Sequence, residues 1–197
     1  MPAGGAPAGS LPKRRLLWPE YQARRTVTVR EAPGAKVVLA PRHFRNLGLY
    51  ERTLQEAKVP WAFRSQGGGK AWDVLVLDTM GELGLAFALS RAAFVGGTLV
   101  PVGGHNVMEP VLSGVPVCFG PHVANVREAA EALTTSGGGA LVASAEEAVA
   151  WMVRHREERL SRAEGAKALA AVEPLRGATE RTLARLEPYL PPRSETR

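Results

Sequence analysis

The chain has 197 residues, of which 45% are hydrophobic and 22% are charged, and it contains one cysteine. This composition supports an ordinary buried core, which excludes a disordered protein, and the length predicts one main domain. No apolar stretch reaches the roughly 18 residues of a membrane span, and a lone cysteine cannot form an intrachain disulfide. We therefore expect a soluble intracellular domain without a transmembrane segment.

The net charge of +6 is unevenly distributed along the chain. Residues 1–70 contain thirteen Lys or Arg against four Asp or Glu, whereas residues 71–197 contain twelve against fifteen. A basic front end is compatible with nucleic acid, anionic lipid or a phosphorylated ligand. Because twenty of the 25 basic residues are Arg and the chain has no Ile, codon bias explains part of this excess. We expect no nucleic-acid partner.

The predicted elements begin with a Gly-, Pro- and Ala-rich lead-in over residues 1–12 and a helix over residues 14–30. From residue 35 onward, short apolar runs alternate with segments whose apolar residues recur every three or four positions. These runs predict six strands, over 35–41, 61–65, 73–78, 92–97, 116–120 and 140–144. Helices are predicted over 45–59, 81–90 and 126–137, from about residue 106, and through most of the chain after residue 144.

The regular alternation of strands and helices predicts an α/β fold, a doubly wound parallel sheet with helices on both faces. Ligands of such sheets bind outside the carboxyl ends of the strands. We therefore expect the functional residues in four strand-end loops, over residues 41–45, 78–82, 97–109 and 120–125.

Two of these loops carry basic or amide side chains. The loop PRHFR after the first strand offers Arg42, His43 and Arg45. An arginine there can bind phosphate through two parallel hydrogen bonds, and the alternative is a solvated basic loop. The loop FGPHVAN adds His122 and Asn125 at another helix start, where structural hydrogen bonding is favoured over catalysis.

The stretch LDTMGEL (77–83) supports two interpretations. Thr79 and Glu82 have the spacing of a capping box, in which each side chain bonds the other residue's backbone N–H. Alternatively, the backbone N–H groups of Met80, Gly81 and Glu82 face an anion at the helix start, and Gly81 permits close approach of a phosphate. The spacing alone leaves both open.

The stretch GGHNVMEP (103–110) has the same ambiguity, because Asn106 and Glu109 also have capping-box spacing. Pro110 confines the helix start to this neighbourhood. Glycine pairs at 96–97 and 103–104 bracket the loop, and such a loop is costly to order unless it has a function. A carboxylate at its edge is suited to accept hydrogen bonds from a ribose diol.

Other classes of site have no counterpart in the sequence. The four histidines are dispersed and neither HExxH nor CxxC occurs, so no metal site is predicted. GGGK (67–70) is not a P-loop, because the six-residue frame and the following Ser or Thr are missing. We expect no cofactor.

Three segments together, LVLDTMGELGL, FVGGTLVPVGGHNVMEP and GVPVCFGPHVAN, resemble the nucleotide-binding C-terminal half of the 3-deoxy-D-manno-octulosonic acid (Kdo) transferases. These are bacterial GT-B glycosyltransferases of lipopolysaccharide assembly. The resemblance extends over roughly residues 30–185 and includes APRH at the first strand end. It implies that the α/β domain is the single Rossmann-like C-terminal half of a GT-B enzyme.

The resemblance implies transfer of Kdo from CMP-Kdo to a lipid A precursor, with inversion at the anomeric carbon and without a metal. It also implies a CMP site in three segments: Pro41 and Arg42, then Met80, Gly81 and Glu82, then Asn106, Val107, Met108 and Glu109. The family usually has Pro and Leu at the positions of Val107 and Met108, and commonly Gly at the position of Leu77.

The full chain of the family is about twice as long, and the carboxylate proposed as its general base lies in an N-terminal half with no counterpart here. We therefore expect a linker end and helix over residues 1–34, a CMP-sugar-binding domain over 35–190 and a tail over 191–197. The acceptor would be reached through the missing half, at the cytoplasmic face of the bacterial inner membrane. The alternatives are a non-catalytic remnant or interaction module and, less favoured, a nucleic-acid-binding protein.

Overall fold

The computed structural model describes residues 33–67, 71–101 and 104–189. The predicted lead-in over 1–12, the helix over 14–30 and the tail over 191–197 lie outside these residues. Within them, strands and helices alternate along the chain, as the sequence pattern predicts.

In the part of the chain that the structure describes, six short parallel strands form two three-stranded sheets. In the first sheet, β3 lies between β1 and β2, and in the second, β5 lies between β4 and β6. All the pairs are parallel, as expected for strands joined by helical crossovers. The strands are β1 (Val37–Leu39), β2 (Trp61–Phe63), β3 (Val74–Val76), β4 (Ala93–Val95), β5 (Val117–Phe119) and β6 (Gly139–Leu141).

Seven α-helices connect or follow the strands in the described part of the chain. They are α1 (Leu47–Glu56), α2 (Leu83–Ala88), α3 (Met108–Leu112), α4 (Arg127–Ser136), α5 (Ala145–Arg154), α6 (Glu158–Val172) and α7 (Ala178–Leu186). Short 3-10 turns precede α1 and α4 and follow β2 and α6.

The second sheet has helices on both of its faces. Val117 and Phe119 face a core formed with α3, α4 and α6, where Val111, Leu133 and Val172 are fully buried. Cys118, between them, faces the opposite side and packs against α5. All three residues of β5 are therefore buried, which explains why this strand reads as a continuous apolar run. Burial raises the pKa of Cys118 to about 12.

The first sheet is covered by α1. Leu54 of this helix packs with Val59, Val74 and Val76, and Trp61 and Phe63 of the edge strand β2 border the same cluster. The apolar face of α1 thus contributes to the burial of this sheet.

Several predicted elements are longer than the observed ones. The helix predicted over 81–90 begins only at Leu83, because Gly81 has a φ of +85°, which a right-handed helix does not permit. The helix predicted over 126–137 ends as expected, since Gly137 adopts a left-handed conformation and closes it. The helical C-terminal part is divided into α5, α6 and α7.

A buried histidine joins α5 to α6. The ring of His155 is fully buried, with Nδ1 2.7 Å from the carbonyl oxygen of Trp151 and Nε2 2.7 Å from the carboxylate of Glu164. This contact fixes the turn between the two helices. Within residues 33–189, excluding the two undescribed gaps, no helix has the length and apolar content that a membrane crossing requires.

The close contact of α6 with the turn after α3 gives a stability prediction. A Cβ added at Gly165 would collide with the carbonyl oxygen of Gly114, so Gly165→Ala should lower the free energy of unfolding by about 1–3 kcal/mol. The matched control is Gly48→Ala in α1, where an added Cβ meets no neighbour and stability should be unchanged or slightly higher. Denaturant unfolding measures both, and equal effects of the two substitutions would contradict the packing.

Candidate functional site

Three strand ends meet at one edge of the first sheet. Leu39 of β1 and Phe63 of β2 are both paired with Val76 of β3, so the three strands end at the same level. The N–H of Leu77 then donates to the carbonyl oxygen of Leu39 at 2.9 Å. The segments that follow these strands are therefore neighbours at the carboxyl edge.

The segment after β1 contains an exposed arginine, Arg42. Pro41 is buried, whereas Arg42 is exposed and forms no ion pair within the described residues. His43 has an extended backbone and precedes the 3-10 turn Phe44–Asn46, where its side chain provides no cap. An anion at this edge could therefore bind the Arg42 guanidinium without displacing an internal partner.

The segment after β3 is a loop over residues 78–82. Met80 is 83% exposed and Gly81 has a positive φ, so this loop is not part of a right-handed helix. The hydroxyl of Thr79 bonds the Glu82 carboxylate, side chain to side chain, and no side chain caps α2. Of the two interpretations, the capping box is therefore wrong, because the helix begins after Glu82 and the loop is closed by its own side chains.

The Glu82 carboxylate has a second partner, Arg64, directly after β2. The guanidinium donates to one carboxylate oxygen from Nε at 3.0 Å and from Nη2 at 2.8 Å, while Thr79 contacts the other oxygen. The hydrogen bond from Thr79 and then the contact with Arg64 hold the pKa of Glu82 below its usual value. The carboxylate is thus ionised and held at both oxygens.

The first residue of the same loop, Asp78, is held by Ser65. The Ser65 backbone N–H donates to one carboxylate oxygen at 2.8 Å and its hydroxyl to the other at 2.5 Å. Burial raises the pKa of Asp78, but the hydrogen bonds from Ser65 outweigh it and leave the pKa lowered. Asp78 is therefore a structural anion.

The long loop after β4 is fastened through Thr98, which is fully buried. Its hydroxyl donates to the carbonyl oxygen of Val95 at 2.6 Å and accepts from the N–H of Gly120 at 2.7 Å. Its own carbonyl oxygen accepts from the N–H of His122 at 2.9 Å. One threonine therefore joins the ends of β4 and β5.

The glycine that precedes His105 is required for the close approach of these loops. A Cβ at Gly104 would lie 2.7 Å from the carbonyl oxygen of His122. A backbone hydrogen bond of 3.2 Å from the N–H of His105 to the carbonyl oxygen of Gly96 closes the loop on itself. Gly104 thus has a packing role in the part of the loop that leads to α3.

The start of α3 differs from the capping-box interpretation. The side-chain oxygen of Asn106 accepts from the N–H of Met108 at 2.9 Å, so it caps a turn two residues on. Glu109 is exposed, and within the described residues its carboxylate forms no hydrogen bond or ion pair. The reciprocal bond of a capping box is therefore not formed, and the Glu109 carboxylate is available to a ligand. Val107 is fully buried, so only its backbone can face one.

The helices behind these loops are short. α2 has six residues and α3 has five, so neither can develop the dipole of a long helix. Binding at this edge therefore depends on loop N–H groups and charged side chains. α2 packs against α3. This contact links the loop after β3, in the first sheet, to the start of α3, which follows β4 of the second sheet.

A cavity of about 500 Å³ lies elsewhere, at the carboxyl ends of β5 and β6. Its lining includes His122 and Asn125 from the loop FGPHVAN, Arg127 and Thr134 from α4, and Leu141. The predicted CMP residues do not line it. Within the described ranges, no group of three or more His, Cys, Asp or Glu is placed to hold a metal ion.

Arg64 and Ser65 are site residues that the sequence does not reveal. The strand prediction over 61–65 includes both, so the end of this strand falls outside the loops expected to carry function. In the structure β2 ends at Phe63, and the 3-10 turn Arg64–Gln66 lies at the same edge as the loop after β3. An Arg-Ser pair directly after an apolar run is the signal that could have identified them.

Comparison with known proteins gives one group of relatives. No protein-family profile matches the chain. It is 35% identical over 175 residues to the 3-deoxy-D-manno-octulosonic acid transferase of Bordetella pertussis, covering 86% of this chain and 40% of the relative. The transferases of Chlamydia pneumoniae (31%, covering 80% of this chain and 37% of the relative) and Haemophilus influenzae (36%, covering 80% and 38%) match similarly. The chain thus spans about two fifths of the length of these relatives.

A solved structure matches the fold. It is the C-terminal CMP-Kdo binding domain of WaaA from Acinetobacter baumannii, with a TM-score of 0.71 and 25% identity. The match covers 80% of this chain and 84% of that domain. The predicted fold class, a parallel α/β domain of the Rossmann-like GT-B type, is therefore confirmed.

The hydrogen bonds of Thr98 give a prediction for the loop after β4. Thr98→Val removes the hydroxyl and leaves the buried N–H of Gly120 without its acceptor, so unfolding should become easier by about 2–3 kcal/mol. Thr98→Ser keeps the hydroxyl and loses one methyl group, and should cost about 1 kcal/mol. Both values come from denaturant unfolding, and a valine variant as stable as the serine variant would show that the hydroxyl is dispensable.

Proposed function

We propose that this chain, which is related in sequence and fold to the C-terminal half of the Kdo transferases, is the donor-binding half of such an enzyme and binds CMP-Kdo. The observation that carries the proposal is the fold match to a domain that binds CMP-Kdo. It is supported by three segments with unpaired or loop-held charges, which occupy strand-end loops of the kind where parallel α/β folds bind ligands.

The three segments have complementary roles in the proposed site. Arg42 is exposed and unpaired within the described residues, and it binds the phosphate of CMP, with Pro41 shaping the turn before it. The loop Met80–Gly81–Glu82 contributes backbone N–H groups, since the positive φ of Gly81 keeps these residues out of the helix that follows. Such groups suit the acceptor atoms of the cytosine edge and the second anionic part of the donor, its carboxylate.

The third segment holds the nucleoside. The Glu109 carboxylate is exposed and accepts hydrogen bonds from ribose hydroxyls, while the side chain of Asn106 orders the turn that carries it. Val107 is fully buried, so it contributes backbone groups only, whereas the side chain of Met108 is partly exposed. The replacement of the family's Pro and Leu by Val and Met keeps the apolar character of these two positions, and we expect it to matter little where backbone groups make the contacts.

The reaction proposed for the complete enzyme is transfer of Kdo from CMP-Kdo to a lipid A precursor, with inversion and without a metal. In this chain, Arg42 and the loop N–H groups neutralise the charge that develops on the departing CMP phosphate. They also position the donor for attack. The general base and the acceptor surface belong to the part of the enzyme that corresponds to the remaining length of the relatives. The proposed location is the cytoplasmic face of the bacterial inner membrane.

Calorimetric titration of the chain with CMP, UMP and UDP tests donor binding directly. We expect CMP to bind, and to bind more tightly than UMP, because the proposed contacts include the cytosine edge. UDP controls for simple attraction between phosphate and basic residues, which salt weakens. Lack of CMP binding up to about 1 mM would rule out the proposed function.

The role of Glu109 gives a separate prediction. Glu109→Gln should weaken CMP binding by about tenfold or more, since a charged acceptor of ribose hydroxyl groups is lost. It should change stability by less than about 0.5 kcal/mol, because the carboxylate has no internal partner within the described residues.

The matched control for this substitution is Glu128→Gln. Glu128 is likewise an exposed glutamate in the first turn of a strand-following helix, α4. It should leave CMP affinity unchanged. Unfolding curves of both variants distinguish a ligand contact from a helix cap, and a Glu109→Gln variant that loses stability while keeping its affinity would identify a cap.

A further inference from the structure

Two consecutive residues hold both ends of the loop after β3. Ser65 binds Asp78, the first residue of the loop, and Arg64 binds Glu82, the last. Both donors lie on the 3-10 turn that follows β2. Because β2 is the hydrogen-bonded neighbour of β3, this turn is fixed relative to the loop that it holds. The loop is therefore clamped from one side of the sheet.

The two arginines that flank this loop have different surroundings. β3 lies between β1 and β2, so Arg42 follows one neighbouring strand and Arg64 follows the other. Arg42 has no ion-pair partner within the described part of the chain, whereas Arg64 gives two N–H groups to a single oxygen of Glu82. An incoming anion can therefore bind Arg42 directly but would have to compete with Glu82 for Arg64.

The clamp fixes the orientation of the Glu82 carboxylate. Arg64 occupies one oxygen and Thr79 the other, so rotation of the carboxylate about its terminal bond is restricted. The Arg64 side chain is 45% exposed and that of Glu82 is 29% exposed, so water screens the pair and its contribution to folding is small. Such a pair is suited to setting a geometry before a ligand arrives.

We propose that Arg64 is a positioning residue of the donor site, which holds Glu82 and the loop over residues 78–82 in the conformation that CMP requires and does not itself contact the nucleotide. This inference rests on the proposed function, because it assigns a role within the same site. Neither the motifs of the sequence nor the names of the relatives point to Arg64.

The first test is CMP affinity measured by calorimetry on the full chain. Arg64→Gln should weaken binding by about tenfold, because the loop must then be ordered at the expense of binding energy. Arg64→Lys should restore part of the affinity, since one charged donor can still reach Glu82. The matched control is Arg52→Gln, an exposed arginine on α1 without an ion pair in the described residues, which should change affinity by less than about twofold.

A double-mutant cycle separates positioning from direct contact. If Arg64 acts through Glu82, Arg64→Gln should cost less than about twofold in a chain that already carries Glu82→Gln. If Arg64 binds the phosphate itself, the same substitution should cost about tenfold in both backgrounds, and that result would overturn the inference.

The pH dependence of CMP affinity provides a readout that a simple loss of folding stability would not change. The contacts with Thr79 and Arg64 keep the pKa of Glu82 low, so the affinity that depends on its carboxylate is present above this pKa and is lost as pH falls through it. Without Arg64 the pKa rises, so the loss should begin at a higher pH than in the parent chain. Titration of CMP itself affects both proteins equally and cancels in the comparison.

The outcomes distinguish this inference from the proposed function. If the parent chain binds no CMP, both the proposed function and the inference about Arg64 are ruled out. A parent chain that binds CMP, with an Arg64→Gln variant that binds equally well, would remove the inference alone. Titration of the Glu82 carboxyl group by NMR in the ligand-free chain must also show a raised pKa in Arg64→Gln and not in Arg52→Gln, and an unchanged pKa would contradict the inference.

Discussion

The pairing of β3 with β1 on one side and β2 on the other is the constraint on which the candidate site depends. Since Leu39, Phe63 and Val76 are in register, the three chain segments that follow them emerge side by side. A slip of one residue would turn the buried valines of β3 outward and carry the loops out of line. The register is thus set by core burial, and the positions of Arg42 and of the loop over residues 78–82 follow from it.

The loops at this edge and the loop after β4 are held by different physical means. The loop over residues 78–82 is clamped by two partly exposed contacts, Arg64 with Glu82 and Ser65 with Asp78. They define its geometry while contributing little to folding. The second is fastened by the buried hydroxyl of Thr98, whose loss would leave a buried donor unsatisfied. The loop over residues 78–82 is therefore fixed in its conformation before a ligand binds, whereas the described part of the loop after β4 is anchored to the core.

The sequence predicts the fold well because burial determines it. Val117–Phe119 is buried on both faces, so its apolar run is unmistakable, and Gly137 ends α4 as expected. Prediction from the sequence fails where the decisive interaction joins residues that are far apart in the chain. The spacing of Thr79 and Glu82 suggests a capping box, but Glu82 is bound by Arg64, eighteen residues earlier. For Asn106 and Glu109, spacing could not show that the carboxylate lacks a partner among the described residues, and the site assignment itself remains a prediction.

The proposed site for the cytidine nucleotide consists of the segments that follow β1 and β3 in the first sheet and β4 in the second. Mapping amide chemical shifts of the labelled chain during titration with CMP tests this most directly. We expect the shift changes to concentrate at Arg42, at Met80–Gly81–Glu82 and at residues 106–109. The chemical shifts of amides at the opposite ends of the strands should stay unchanged. Shifts centred on the cavity between His122 and Thr134, or no shifts at all, would contradict it.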